Sequence, residues 1–269
     1  MFRKINIILI GIIVFIVVAS SCNNYKKLMK SNDYEKKYEK GMMYYEKKDH
    51  ARAQPIFEEL RTLFRGTEKG EKVALYYANC TFELGEYTLA AYLYRDFARQ
   101  FPASKDKEKA TFRVAYCYYL LSPELTLDQS DTETAVSELQ YFLDKYPNSE
   151  LRKDAEKYID ELRKKLETKA YRNAMLYHTI GDYKAAIVAL KNVMLDFPDT
   201  QYREEILFTI VKSSYLLATN SIQSKQKERY KNTIDAYHIF IDNYPNSKKI
   251  KEAENFYNNS LKGIEKNGI

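Results

Sequence analysis

Ala19-Ser20-Ser21-Cys22 places three small residues directly before a cysteine, just after an uninterrupted apolar run from Ile7 to Val18. Small side chains at such a place let a signal peptidase fit the chain into a narrow cleft, and the thiol that follows is a nucleophile open to acylation. Arg3 and Lys4 give the segment its positive start. The run is short for a helix that must span a bilayer, which favours cleavage before Cys22 over an uncleaved anchor. Cys80 and Cys117 are the other two thiols. His50, His178 and His238 have no metal-ligand spacing among themselves or with the cysteines. There is no GxSxG, P-loop, HExxH or GxGxxG in the chain. No catalytic residue, no metal ligand and no cofactor is assigned, so the chemistry to look for is binding.

The residues around Cys22 resemble the lipobox of bacterial lipoproteins, although Ala19 stands where Leu is more usual. That resemblance implies acylation of Cys22 and its exposure as the mature N-terminus. Two acyl chains on one residue satisfy what stable anchoring takes. The expected layout begins with a signal peptide over 1–21 and a lipidated polar tether over 22–33. Loss of Arg3 and Lys4 leaves 41 basic against 37 acidic residues, a mild excess that is interspersed along the chain. No basic tract points to nucleic acid.

Positioning elements are announced by four aromatic–proline pairs: Phe101-Pro102, Tyr146-Pro147, Phe197-Pro198 and Tyr244-Pro245. Each closes a helical, Ala- and Tyr-rich stretch, since proline lacks an amide donor and restricts the residue before it. The prolines are 45, 51 and 47 residues apart, a spacing that identifies a repeat architecture. Glu71 to Ser104 is the clearest unit, 34 residues long, and it resembles the tetratricopeptide repeat. Ala78 and Ala90 are its small positions, Tyr94 and Phe97 its large ones, and Gly85-Glu86-Tyr87 its turn. Units beginning at Tyr34, Glu108, Glu167 and about Glu204 fit the same frame. The third and fifth require enlarged loops, around Ser122–Asp131 and around residues 219–229. Leu151 to Leu166 carries apolar residues near one face and no breaker, so it continues into the next unit. The predicted fold is all-α: a tetratricopeptide-repeat solenoid of five helix pairs with a long connecting helix around residues 150–179. Repeats one to three occupy 34–149, the long helix and repeats four and five 150–247, and a capping helix 248–269.

Cys80 and Cys117 both fall at the tenth position of their units, where a small buried side chain is usual, and equivalent positions in successive repeats are too far apart for a disulfide. The second, fifth, ninth and twelfth positions of each first helix face the inner wall of such a solenoid. In the first three units these include Tyr38, Met42, Tyr45, Leu75, Asn79, Phe82, Phe112, Tyr116 and Tyr119. Tyrosine offers large contact area and a hydroxyl at small entropic cost, which suits an extended, aromatic-rich peptide. The alternative is that these rings only pack between neighbouring repeats.

Taken together, the lipobox, the five repeats and the long helix resemble the BamD (ComL-type) family of outer-membrane assembly lipoproteins. The most specific stretch is Ile159–Arg163 through Lys169-Ala170, Ala174, Tyr177, Gly181–Ala186 and Phe197–Thr200. The resemblance implies a non-enzymatic scaffold of the β-barrel assembly complex at the periplasmic face of the outer membrane. It implies contact with the periplasmic domains of a BamA-like β-barrel protein through about 167–247, and with unfolded outer-membrane proteins. Arg65, in place of the first unit's proline, and the loop Thr219–Arg229 depart from the family pattern. A SusD-like glycan-binding lipoprotein and a generic envelope scaffold are the alternatives; the absence of Trp weighs against the first. Asn23–Lys27 carries no acidic residue, which suits an inward-facing protein.

Overall fold

The computed structural model describes residues 24–266, and among them every regular element is a helix. A short helix α1 covers 24–29 within that range. It is followed by α2 (Tyr34–Glu46), α3 (His50–Leu63), α4 (Glu68–Glu83), α5 (Tyr87–Gln100), α6 (Lys107–Leu121) and α7 (Ser130–Lys145). The long helix α8 (Arg152–Thr179) has 28 residues. Beyond it lie α9 (Tyr183–Asp196), α10 (Arg203–Thr219), α11 (Gln223–Asn243) and α12 (Ile250–Lys266). The chain divides into two compact units. The first runs to Pro123 and includes Gln129–Ile159; the second takes Glu124–Asp128 and everything from Asp160.

The aromatic–proline pairs stop helices as their chemistry requires. Phe101, Tyr146, Phe197 and Tyr244 each give a last N–H to the carbonyl four residues back, then leave helical geometry with φ between −119° and −135°. That is the extended conformation a following proline imposes. Three of the four rings fold back on an aromatic one turn earlier, Phe97, Phe142 and Phe240, at 5.3, 5.5 and 6.2 Å between centroids. Where Arg65 replaces proline, α3 ends at Leu63 with Phe64 as its C-cap, and the chain passes through Gly66 at φ +79°. Inside the hairpins the turn is taken by Gly85 and Gly181 in the left-handed region, and by Lys48, at φ +58°, in the first repeat.

A hydroxyl two residues after each of three prolines latches the repeat shut. Ser149 Oγ donates to Glu108 Oε1 (2.5 Å), Thr200 Oγ1 to Glu167 Oε1 (2.6 Å) and Ser247 Oγ to Glu204 Oε1 (2.6 Å). Each hydroxyl also accepts the N–H two residues further on. The glutamates lie at the opening of their repeats, so each latch ties the end of a unit to its beginning. A hydrogen bond to a charged group contributes about 1.5–3 kcal/mol net.

In the first unit, Phe57, Leu60, Tyr77, Ala78, Ala90, Tyr94, Phe97 and Val114 share one buried core with Cys80 and Cys117. Both thiols are free, and burial pushes each up to about 12. In the second unit Ala174, Leu190, Val193, Ile206 and Ile210 form one cluster, and Leu207, Phe208, Val211, Tyr237, Phe240 and Ala253 another.

Two expectations are corrected. The stretch read as a tether over 22–33 is folded from residue 24 on: Leu28 is buried in the first core, and Tyr25 donates its hydroxyl to the Arg52 carbonyl (3.1 Å). Lys37, itself buried, donates to the Met29 carbonyl (2.9 Å) and to both Glu59 oxygens (2.7 Å), pinning the end of α1 to the first repeat. The enlarged fifth-repeat loop over 219–229 is not a loop either. Only 220–222 separate α10 from α11, and the extra residues lengthen α11 to 21.

Candidate binding surfaces

The nine residues read as an inner wall all lie on α2, α4 and α6 of the first unit. Phe112 is buried and the other eight are half-buried. Met42 and Leu75 rest against the core. Tyr38 packs its edge on Phe64 and lies under the Lys69 ammonium at 5.5 Å.

Tyr45 and Asn79 form a polar chain with a residue from the outer helix α5. Asn79 Nδ2 donates to the Tyr45 hydroxyl (3.0 Å), and the buried Tyr94 hydroxyl donates to Asn79 Oδ1 (2.8 Å). Tyr45 also lies against Tyr76 at 4.6 Å and Phe57 at 6.3 Å. Burial pushes the Tyr45 phenol up despite the Asn79 hydrogen bond, and burial does the same to Tyr94. The amide of Asn79 is thus engaged within the fold, and both its ends serve to hold helices in register.

Phe82, Phe112, Tyr116 and Tyr119 come together in a second, continuous ledge. The rings of Phe112, Tyr116 and Tyr119 are stacked in succession at 6.1 and 5.7 Å, with interplanar angles of 9° and 13°. Phe82 approaches Tyr116 at 6.0 Å from the neighbouring repeat. Two residues absent from the sequence-based wall complete the ledge. The Arg113 guanidinium sits 4.5 Å over Phe82, and Tyr158, from the start of α8, lies 4.3 Å from Tyr119. Arg113 follows Phe112 directly, so it was within reach of the same positional reading. Tyr158 was visible as part of an apolar helix face, but its ring partners Tyr119, Tyr116 and Phe112 are 39, 42 and 46 residues away. A stack of parallel rings with a guanidinium beside it can grip aromatic or apolar side chains of a peptide by face contact and cation–π attraction.

In the second unit, residues within about 167–247 leave large apolar side chains in solvent at the end of α8 and on α9. Leu176, Tyr177 and Ile180 are 57, 43 and 66% exposed, and Leu195 75%. His178, between them, shares a hydrogen bond with the buried Ser213 hydroxyl (2.8 Å), and burial followed by the Lys212 charge lowers its pKa. Among the described residues no group of three or more His, Cys, Asp or Glu could hold a metal, and no helix is long and apolar enough to cross a membrane. Cys22 lies outside the described residues.

Residues 30–229 match the YfiO family, described as outer membrane lipoprotein. A protein of Aquifex aeolicus (strain VF5) named for the outer membrane protein assembly factor BamD is 25% identical over 256 residues, 94% of this chain and 82% of that protein. The outer membrane protein assembly factor BamD of Rickettsia prowazekii (strain Madrid E) is 25% identical over 211 residues, 78% of this chain and 80% of that one. Among solved structures, the TPR domain of P58(IPK) aligns with 14% identity and a TM-score of 0.42, over 90% of this chain and 68% of that one.

Proposed function

The chain belongs to the YfiO family of outer membrane lipoproteins, and on that premise we propose that it is a non-enzymatic scaffold of outer-membrane β-barrel assembly. The observation that carries this reading is the family match over 30–229 together with relatives named for that assembly factor over most of both chains. Cys22 carries the lipid and holds the protein at the periplasmic face. The second unit, through about 167–247, binds the periplasmic domains of a BamA-like partner, and its exposed apolar residues at the end of α8 are suited to such a contact. The ring ledge of the first unit engages unfolded outer-membrane proteins, whose alternating strands present aromatic side chains on one face.

Affinity purification of the tagged lipoprotein from detergent-solubilised envelopes tests the assembly role. Recovery of a β-barrel protein with repeated periplasmic domains is the expected result; recovery of a TonB-dependent transporter alone overturns it. Metabolic labelling with palmitate, lost in Cys22→Ser, tests the anchor. Phe82→Ala and Tyr116→Ala in one chain are expected to weaken binding of a β-strand peptide from an outer-membrane protein while far-UV circular dichroism stays unchanged. Undiminished binding removes the ledge from the reading.

A further inference from the structure

Helices α9 and α11 both pack on α10, and a trough of about 620 Å³ opens between them along it. Its floor is mostly apolar, with Leu207, Ile210 and Leu217 of α10, and Ser214 between the last two, recurring at helical spacing over 10 residues, roughly 15 Å by rise per residue. Its walls are open to solvent: Val188 on α9 and Ile239 on α11 are 54 and 52% exposed. Lys184 and Lys191 edge the α9 side. On the α11 side stand Lys225 and Arg229, with Glu228 and Asp235.

The repeat supplies its own control. An equivalent cleft lies between α5 and α7 over α6, and there Arg95 of α5 pairs with Glu138 of α7 at 2.7 Å. Arg95 stands seven residues before Pro102, and Glu138 nine before Pro147. The same register puts Lys191 seven before Pro198, and Ala236 nine before Pro245. The cation is kept in the second unit and its acid has become alanine. Lys184, Lys191 and Lys225 make no ion pair among the described residues. Asp235 and Glu228 stand on the α11 wall, yet neither pairs with Lys184 or Lys191 across the trough or with Lys225 beside them.

We propose that this trough is a docking site for an amphipathic helix of a partner protein, apolar on the face it buries and acidic along the flank beside α9. The apolar stripe of such a helix repeats at three- and four-residue steps, as the floor does. Carboxylates seven residues apart on its flank are two turns, about 10.5 Å, from each other, the separation of Lys184 from Lys191 along α9. They supply the charge that Glu138 supplies internally in the first unit. The trough lies within the region 167–247 assigned above to a BamA-like partner, and the peptide test below reads the trough whether or not that assignment holds.

The test uses the lipoprotein purified in detergent and two fluorescein-labelled synthetic 14-residue amphipathic peptides. Both have the same Leu/Ile stripe; one carries two Glu seven residues apart along a single flank, the other Lys at the same places. Fluorescence anisotropy is expected to show the Glu peptide binding at least tenfold more tightly than the Lys peptide, with affinity falling as salt rises. Lys191→Glu, at an exposed position, is expected to lose at least tenfold for the Glu peptide. Ala236→Glu, which restores the pairing seen at Arg95–Glu138, is expected to do the same by filling the trough. Equal affinity for both peptides, binding of neither, or full affinity in Lys191→Glu overturns the proposal.

Discussion

The polar chain Tyr45–Asn79–Tyr94 decides between a free groove and a packed wall, and a double-mutant cycle reads it. Tyr94 is 1% exposed and its hydroxyl has Asn79 Oδ1 as acceptor at 2.8 Å. Asn79→Leu keeps the side-chain size, removes the acceptor and strands a buried hydroxyl. An orphaned buried polar group costs about 1–3 kcal/mol. Tyr94→Phe removes the hydroxyl and leaves only the half-buried amide, which water can reach, so the cost is about 0.5–1.5 kcal/mol. With both changes the stranded Tyr94 hydroxyl is gone, and the Tyr45 hydroxyl that loses the Asn79 donor is only half-buried, within reach of water. The double variant is therefore expected to be more stable than Asn79→Leu alone, although it carries one substitution more, with a coupling of about 1 kcal/mol. For a chain of this length a 1 kcal/mol change moves Tm by about 2–4 °C. Stacked repeats can unfold in segments, so the assay follows urea unfolding together with amide exchange in α4 and α5. If the costs simply add, Asn79 does not hold Tyr94, and its amide is available to a ligand after all.

Glu59→Gln is expected to cost about 1–3 kcal/mol, less than a fully buried pair, because Lys37 is sealed while a third of the Glu59 side chain meets water; equilibrium unfolding measures it. Lys48→Gly is expected to stabilise by about 0.5–1 kcal/mol by relieving a left-handed lysine, read as a higher urea midpoint. His178 has a folded pKa below its ordinary 6.5, so the unfolded chain binds the proton first and stability falls as pH drops through that value. His178→Gln should flatten the difference between urea midpoints at about pH 7.5 and 5.5. Cys80 and Cys117, with thiols pushed up to about 12, should react with an aromatic disulfide reagent only after unfolding.

Proline made the repeat legible in the sequence, because its effect on its predecessor is local and unconditional. The same holds for Gly85 and Gly181 in the turns. Residues 219–229 misled because a polar, basic run looks like a loop, yet Gln223–Arg229 contains no breaker and every residue in it tolerates a helix. The folded segment 24–29 shows only Tyr25, Leu28 and Met29 as apolar signal, and their partners lie across the first repeat. The Glu–hydroxyl latches bridge 33 to 43 residues, a distance over which no helical period carries information. Of the proposed wall, ring type and helix face were readable. Which rings face each other rather than a ligand was not, because that depends on how one repeat is set against the next, as at Phe82 and Tyr116.

The folding of α1 fixes the length of a leash. A free chain over 24–29 would span up to about 20 Å when extended, whereas the helix α1 that these residues form is about 9 Å long. Lys37, by gripping the Met29 carbonyl, takes up the slack. With the lipid proposed above on Cys22, that shortening holds the first repeat nearer the membrane surface than an extended tether would, and narrows the depth over which it can meet a partner.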